Sequence, residues 1–458
     1  MKRMWQEIGK KKRLVIENMG GGIHTGLPPT EIPIGLATDM QNLHTGSYPH
    51  LRPRPPRSTA AVPALPTGTL RFFGVCVGGK LCAVIGDTLY VLQNRVWKSF
   101  GQLFSSTTGR IHATDFMGYT IFADGITCKR FNGEEISAVS KSGSPGPCAF
   151  LATNAWHLFA ASEKDNYLRY SAVEDMTDWT APGDAGQELI ETAQGAFGSA
   201  LTSYGGHILY FKKNAIFELY GTDPVNFSLL PISGDIGCAA AATITEVDGR
   251  LYFLGRDGVY TYSGGARPTR ISFPVQRFID NAGDLTLAAA GSDGVRYYLA
   301  LPQVGGKTVV LVYDTRINAW FSEDNVPFFA FARTTEGFFA AAVDGTVYAF
   351  GVEGTETVTW SYTSRPYLCE NSLFQNWHRL YIRAEVANGA HYTVAVSPWL
   401  SGEGFSTVGE ITQSGLVQIE LPTRFFGAPH LRFRLSGAGD VTISALEVEL
   451  RGRERSYI

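Results

Sequence analysis

Between about residues 81 and 350, the chain repeats one pattern seven times: an apolar run, a short polar turn, then Tyr or Val and another apolar run. The copies span 81–92 around Gly86 and Asp87, 116–131 around Asp124 and Gly125, 156–170 around Lys164 and Asp165, and 208–220 around residues 212–214. Three more span 251–262 around Asp257 and Gly258, 297–313 around Gly305 and Gly306, and 338–350 around Asp344 and Gly345. Asp-Gly tolerates the positive φ of a tight hairpin, and alternating apolar residues turn one face of each strand into a core. Tyr, Val, Phe and Thr dominate the runs, because β-branched and aromatic side chains fit a pleated, half-buried surface. The turns recur roughly every forty residues, the period of propeller blades. One such unit cannot bury both of its faces, so neighbours must stack and the ring must close. The pattern predicts an all-β protein, a six- or seven-bladed β-propeller over 67–354. Its persistence favours that architecture over unrelated hairpins in a sandwich.

The flanks read differently. Residues 1–66 form an extended, Pro-rich N-terminal arm. It begins with the basic cluster Lys10, Lys11, Lys12 and Arg13, passes Gly20, Gly21 and Gly22, and ends in Arg52-Pro53-Arg54-Pro55-Pro56-Arg57. Proline fixes φ and removes a donor, so this segment should lie as a strap over another surface. The basic cluster reads as a solvated tail rather than a phosphate contact. Within the propeller, Pro274 to Asp280 suits one short amphipathic helix, and 175–187 reads as a long contact loop. From 355 to 458 the pattern becomes a C-terminal β-sandwich, with strands predicted at 357–362, 378–385, 392–397, 417–421, 431–435 and 441–451. Arg451, Arg453 and Arg455 extend its last strand as a tail able to dock on a partner.

Composition narrows the function. At 458 residues with 44% hydrophobic content the chain can build a sizeable core, and its 51 glycines suit many tight turns. A net charge of −3 argues against a dedicated nucleic-acid binder, which usually carries a basic stripe. Cys76, Cys82, Cys128, Cys148, Cys238 and Cys369 form no CxxC pair, so buried free thiols in a protein made in a reducing cytoplasm are expected. No apolar run is long enough to span a membrane, and the N-terminus lacks the apolar stretch of a signal peptide.

Catalytic signatures are wanting. There is no Gly-x-Ser-x-Gly elbow, no His-Glu-x-x-His, no phosphate loop, no sialidase box and no metal-ligand spacing among the nine histidines. No catalytic, cofactor-binding or metal residue is therefore assigned. Acids gather at Glu163 and Asp165, at Glu174, Asp175 and Asp178, and at Glu323 and Asp324. A glycosidase needs two such groups flanking one bond, and solvated loop acids are the commoner arrangement. Trp320, Trp360 and Trp377 sit in or beside strand-like runs; Trp320 and Trp377 read as core. Trp179 and Trp399 lie in polar loops, where sugar stacking is open to them.

A succession of phrases resembles the β-propeller proteins of tailed-bacteriophage virions. Tyr170-Ser171-Ala172 with Asp175, Asp178 and Trp179 is similar to that family's blade end and loop. Tyr210-Phe211-Lys212 and Ile216-Phe217-Glu218-Leu219 resemble its hairpin, followed by Ile236-Gly237, by Leu254-Gly255-Arg256-Asp257-Gly258-Val259-Tyr260, and by Ile271-Ser272-Phe273-Pro274. Upstream, Ile34, Met40-Gln41-Asn42-Leu43 and Leu51-Arg52-Pro53-Arg54-Pro55 resemble the segment leading into the first blade, where an asparagine and an Arg-Pro pair stand. The resemblance implies a virion structural protein, not an enzyme: a tail hub- or nozzle-like component at or below the head-to-tail junction. It would be a homo-oligomeric ring such as a hexamer, partnered by portal, adaptor or other tail proteins, with DNA passing through without specific binding. The C-terminal module departs from the pattern and supports an alternative, a tail-tip protein binding host-surface glycans. Interface roles fall to Arg52, Arg54 and Arg57 of the strap and to Asp175 and Trp179 of the long loop. On this reading the arm locks neighbouring subunits, and deleting residues 1–60 impairs assembly while the propeller stays folded.

Overall fold

The computed structural model describes residues 5–8, 11–192, 195–352, 354, 356–368, 375–402 and 404–452. Within them the chain is an all-β propeller joined to two larger sheets. Seven four-stranded antiparallel sheets follow one another along 70–102, 112–138, 150–189, 198–233, 245–270, 289–323 and 328–350. Each repeated apolar phrase supplies the second and third strands of one of them; Lys80–Ile85 and Thr88–Gln93 are the first such pair. The polar turns work as their residue types dictate. Asp124 Oδ1 accepts from the backbone N of Ile126 and Thr127 at 3.0 and 2.9 Å. Gly125 beside it takes φ +87°, a conformation that costs a side-chain-bearing residue about 1–2 kcal/mol.

The last of these sheets is completed from far upstream. Its strands Phe328–Thr334, Gly337–Ala342 and Val347–Phe350 are joined at the outer edge by Arg57–Ser58, with Phe350 opposite Arg57. Its leading strand also packs against Leu70–Cys76, the leading strand of the first sheet. The arm thus closes the ring. The short helix falls at Gln276–Asp280, preceded by a 3-10 turn at Phe273–Val275.

The two larger sheets hold the C-terminal strands and the start of the chain together. One runs Trp5–Ile8, Lys11–Ile16, Val441–Gly452, Gln375–Val386 and Gly415–Glu420. The other runs Ala37–Gln41, Thr359–Ser364, His430–Ala438, His391–Ser397 and Ser406–Ile411. Alternation decides which residues face inward: Leu446, Val448 and Leu450 share a core with Leu431, Phe433, Leu435, Leu380 and Ile382. Leu14, Ile16 and Met40 of the arm are buried in that same core.

The arm is extended, as its prolines predict, but it is not a separate unit: it contributes strands to both large sheets and to the closing propeller sheet. Its removal would therefore not leave the propeller intact, a correction to the sequence reading whose cause is the pairing of Arg57–Ser58 with the distant strand Val347–Phe350. Cys76, Cys82, Cys128, Cys148 and Cys238 are buried free thiols. Cys369, Lys10, Arg453 and Arg455 lie outside the described residues. Arg13, from the basic cluster, pairs with Glu447 at 3.3 Å and lies over the Tyr381 ring. Among the described residues, no helix is long and apolar enough to cross a membrane.

Candidate functional site

Two of the strap residues singled out in the sequence, Arg54 and Arg57, converge on one cluster where arm, propeller and C-terminal sheets meet. Asn42, at φ +56°, a conformation asparagine tolerates better than most side chains, is its hub. Its Nδ2 donates to the Thr359 carbonyl at 2.8 Å, and its Oδ1 accepts from the Asp324 N at 2.9 Å and from Arg54 Nε at 3.2 Å. Arg54 donates to both oxygens of Glu356 at 3.0 and 2.6 Å and to Asp324 at 2.9 Å. Arg57 donates to Asp324 at 2.8 Å and to Glu323, and its guanidinium packs over Phe328 and Phe350. Two guanidiniums and three carboxylates thus tie the strap to the sixth sheet, the closing sheet and the linker beyond it.

Arg54 and Arg57 are both only 4% exposed. Their charges are consumed inside the chain, which corrects the expectation that they face a neighbouring subunit. Arg52 is different. It forms a two-point pair with Asp440, at 2.9 and 2.8 Å, on the partly exposed surface of the C-terminal module.

The electrostatics follow from this packing. Burial pushes the Asp324 carboxyl up, but the charges and hydrogen bonds of Arg57 and Arg54 outweigh it and hold the group below its ordinary value. Burial also pushes Glu356 up, and its bonds to Arg54 and to the Arg57 backbone again win. A carboxylate with a depressed folded-state pKa stabilises fully above its unfolded value and loses that contribution as pH falls through the folded one. Unfolding midpoints should hold near neutrality and fall below about pH 4. In Arg54→Met that acid limb should be shallower; identical pH profiles would refute the assignment.

The long loop divides its two named residues. Asp175 is exposed, its Oδ1 accepting from the N and Oγ1 of Thr177 at 2.9 and 2.6 Å, bonds that lower its carboxyl. Trp179 is buried beside Cys148, Leu151 and Met176, with Nε1 donating to the Val139 carbonyl at 3.2 Å. It is a core residue, not a contact residue, because the loop pairs with the connection after the second sheet, the Trp179 N donating to the Ser142 carbonyl at 2.8 Å, and the ring packs between the second and third sheets. Trp179→Ala should cost about 3–5 kcal/mol of stability, read as a lowered denaturant midpoint; an unchanged midpoint would return the residue to the surface. Trp320 and Trp377 are buried as the sequence predicts, Trp360 is buried as well, and Trp399 is 63% exposed.

Asp165 is taken up by Arg169 at 2.8 Å, and Glu323 and Asp324 by the clamp. Among the described residues, no group of three or more His, Cys, Asp or Glu could hold a metal ion. Glu356 and the clamp role of Glu323 and Asp324 escape a reading of the sequence, whereas Asn42 stands in the phrase that resembles the lead-in segment; the one signal for the acids is that they stand at the end of an apolar strand, Ala319–Glu323.

The propeller also frames an open cavity of about 1050 Å³. Leading strands from around the ring line it, among them Phe73, His112, Phe150, Ser199, Ala290 and Phe331. Burial pushes the His112 imidazole down to about 4, so it is neutral at physiological pH.

No family model matches the chain, and no curated protein does. Similarities to solved structures are low in sequence and partial in shape. U3-55K aligns over 65% of this chain and 100% of its own, at 10% identity and a TM-score of 0.44. The WD40 domain of Neurospora crassa Pan2 aligns over 66% of this chain and 96% of its own, at 11% identity and a TM-score of 0.43. For the extracellular domain of the one-component system BT4673 from B. thetaiotaomicron, the alignment covers 70% of this chain but 41% of that one, at 9% identity and a TM-score of 0.44.

Proposed function

We propose that the chain is a structural protein of a tailed-phage virion, a seven-bladed propeller carrying a two-sheet β-sandwich. It acts as a hub- or nozzle-like tail component, assembling as a ring on the DNA channel at or below the head-to-tail junction. The observation that carries this reading is the meeting of Asn42 with Arg54. These are the asparagine and an Arg-Pro arginine of the phrase that resembles the family's lead-in segment, and they build the clamp between the two parts of the molecule. A body fastened in this way transmits load between neighbours along a tail and needs no chemistry of its own. The mildly acidic chain suits a conduit that DNA must traverse, since phosphate affinity grows with the number of Lys and Arg contacts. Asp175 and the exposed face around Arg52 and Asp440 are the surfaces offered to the portal, an adaptor or another tail protein.

Immunogold electron microscopy on intact particles, with antibody raised against the purified chain, tests this. Label at the head-to-tail junction supports the hub or nozzle role; no label on any particle rejects a virion role. Label at the distal tip favours a second reading, host-surface glycan binding. That reading is favoured by Trp399, exposed beside Leu400 on the tip of a C-terminal hairpin. In that case Trp399→Ala abolishes glycan binding and changes stability by no more than about 0.5 kcal/mol.

A further inference from the structure

In the second, third, fourth and fifth propeller sheets, two-residue turns join the first strand to the second: Met117–Gly118, Ala155–Trp156, Gly205–Gly206 and Asp248–Gly249. Both residues of each turn have positive φ, as the twist of the flanking strands demands. Three of the turns put glycine second, the residue that meets this demand without steric cost. The third sheet puts Trp156 there, at φ +65°, after Ala155 at φ +46°. A bulky side chain held in that conformation costs the fold stability. Packing does not offset the cost, since Trp156 is 64% exposed.

The long loop lies against this turn. The Glu174 N donates to the Trp156 carbonyl at 2.9 Å, and Val173 beside it is 45% exposed. Glu174 is itself at φ +56°. From 171 to 187 the chain carries Glu174, Asp175, Asp178 and Asp184 and no lysine or arginine. Uncharged donors engage three of these acids. Thr177 donates to Asp175, the N and Oγ1 of Thr180 donate to Asp178 at 2.9 and 3.1 Å, and the Val173 N donates to Asp184 at 3.1 Å. Among the described residues, none of the four acids is in an ion pair. Thr177 does most to lower the Asp175 carboxyl, and the basic groups Lys141 and Arg130 do least.

An exposed apolar side chain standing singly is ordinary. One held where the backbone asks for glycine, hydrogen-bonded to a loop of unpaired acids, is kept for what it touches. Tryptophan is the side chain whose ring best attracts a cation, and it is enriched at the points where partners dock. We propose that Trp156, Val173 and the acids of the long loop form a docking surface for an arginine- or lysine-bearing segment of a partner protein, its cation over the Trp156 ring and its charge facing Glu174 and Asp175. The inference rests on the reading of Asp175 as a contact residue and supplies the chemistry of what it contacts. It is tested on the purified chain, so its failure is distinct from a failure to find label on particles.

Calorimetric titration of the full chain with hexaarginine and with hexaglutamate, at physiological salt, tests the proposal. Hexaarginine should bind saturably and hexaglutamate should not. Trp156→Gly changes no charge, which separates this surface from general attraction of a cationic peptide to an acidic protein. It should weaken hexaarginine about fivefold. Without peptide the same variant should melt no lower than the wild type, with a midpoint about 1–2 °C higher as the strain is relieved. Glu174→Gln should weaken hexaarginine about twofold or more. Equal binding by wild type and Trp156→Gly, no saturable binding of hexaarginine, or hexaglutamate binding as tightly would each overturn the surface. A lower midpoint for Trp156→Gly, or its failure to fold, would make the tryptophan a structural residue and likewise overturn it. Unchanged binding by Glu174→Gln would overturn the cationic character of the partner.

Discussion

Replacing Arg57 with methionine is expected to lower the free energy of unfolding by about 3–5 kcal/mol. The arginine side chain and that of Glu323 are 2% and 5% exposed, so removing the cation leaves a carboxylate in the interior without its partner. Asp324 loses one of its two guanidiniums. Methionine keeps much of the packing against Phe328 and Phe350, so the effect isolates charge from volume. Arg52→Met is the matched control. Its pair with Asp440 is 43% and 53% exposed, and exposed pairs contribute about 0.2–1 kcal/mol. Guanidinium chloride unfolding followed by tryptophan fluorescence compares the two. Equal midpoints for Arg57→Met and Arg52→Met would show that the clamp is not what holds the strap. Adding Glu323→Gln to Arg57→Met should recover part of the loss, since the stranded charge is then gone.

Deleting residues 1–60 has a still larger expected effect: the chain fails to reach a soluble, cooperatively folding state. The deletion removes the strand that closes the propeller and strands from both large sheets. It uncovers a core from which Leu14, Ile16, Met19, Ile23, Met40, Leu43 and Leu51 have been taken. Truncating any one such side chain to alanine costs about 2–5 kcal/mol, against a typical total stability of about 5–15 kcal/mol. Expression of the truncated chain, with solubility and near-ultraviolet circular dichroism as readouts, checks this. A soluble product with native-like signal and normal ring assembly would remove both the closing role and the assembly role of the arm. Leu14→Ala gives a graded version, reading the N-terminal strand alone through a lowered midpoint.

What the sequence revealed and what it hid divide by the range of the interactions involved. The seven hairpins were legible because each is made by residues a few positions apart, with turn chemistry and alternation in the same short window. Most of the C-terminal strands were legible for the same reason, as Leu431, Phe433 and Leu435 alternate with Arg432 and Arg434, but Ser406–Ile411 was not. By contrast, Val96–Gln102 pairs with Thr88–Gln93 at the exposed outer edge of its sheet, where no apolar alternation is needed. The strands of the arm take their order from partners near the other end of the chain. Lys11–Ile16 looks like a charged tail until Val441–Gly452 lies beside it.

The candidate site shows the same division. Arg54 and Arg57 read as surface residues because an arginine in a polar, Pro-rich stretch usually is one. Their acids stand 266 to 302 positions away, and no local signal announces them. Trp179 misled in the same sense. Asp175 and Thr180 beside it lie on the loop's solvent side, while the ring turns inward.

The route by which the ring closes sets a schedule for synthesis. Arg57 leaves the ribosome long before Phe350, and Lys11–Ile16 long before Val441–Gly452. At about 5–20 residues per second, these segments wait on the order of a minute for their partners. A waiting strand with free edges is a template for wrong pairing, within a nascent chain or between two of them. Pro28, Pro29, Pro33, Pro49, Pro53, Pro55 and Pro56 lack the donor that a wrong partner would need. Beside Arg57–Ser58 the prolines thus act before any fold exists, denying that short strand a wrong partner until Val347–Phe350 arrives to receive it.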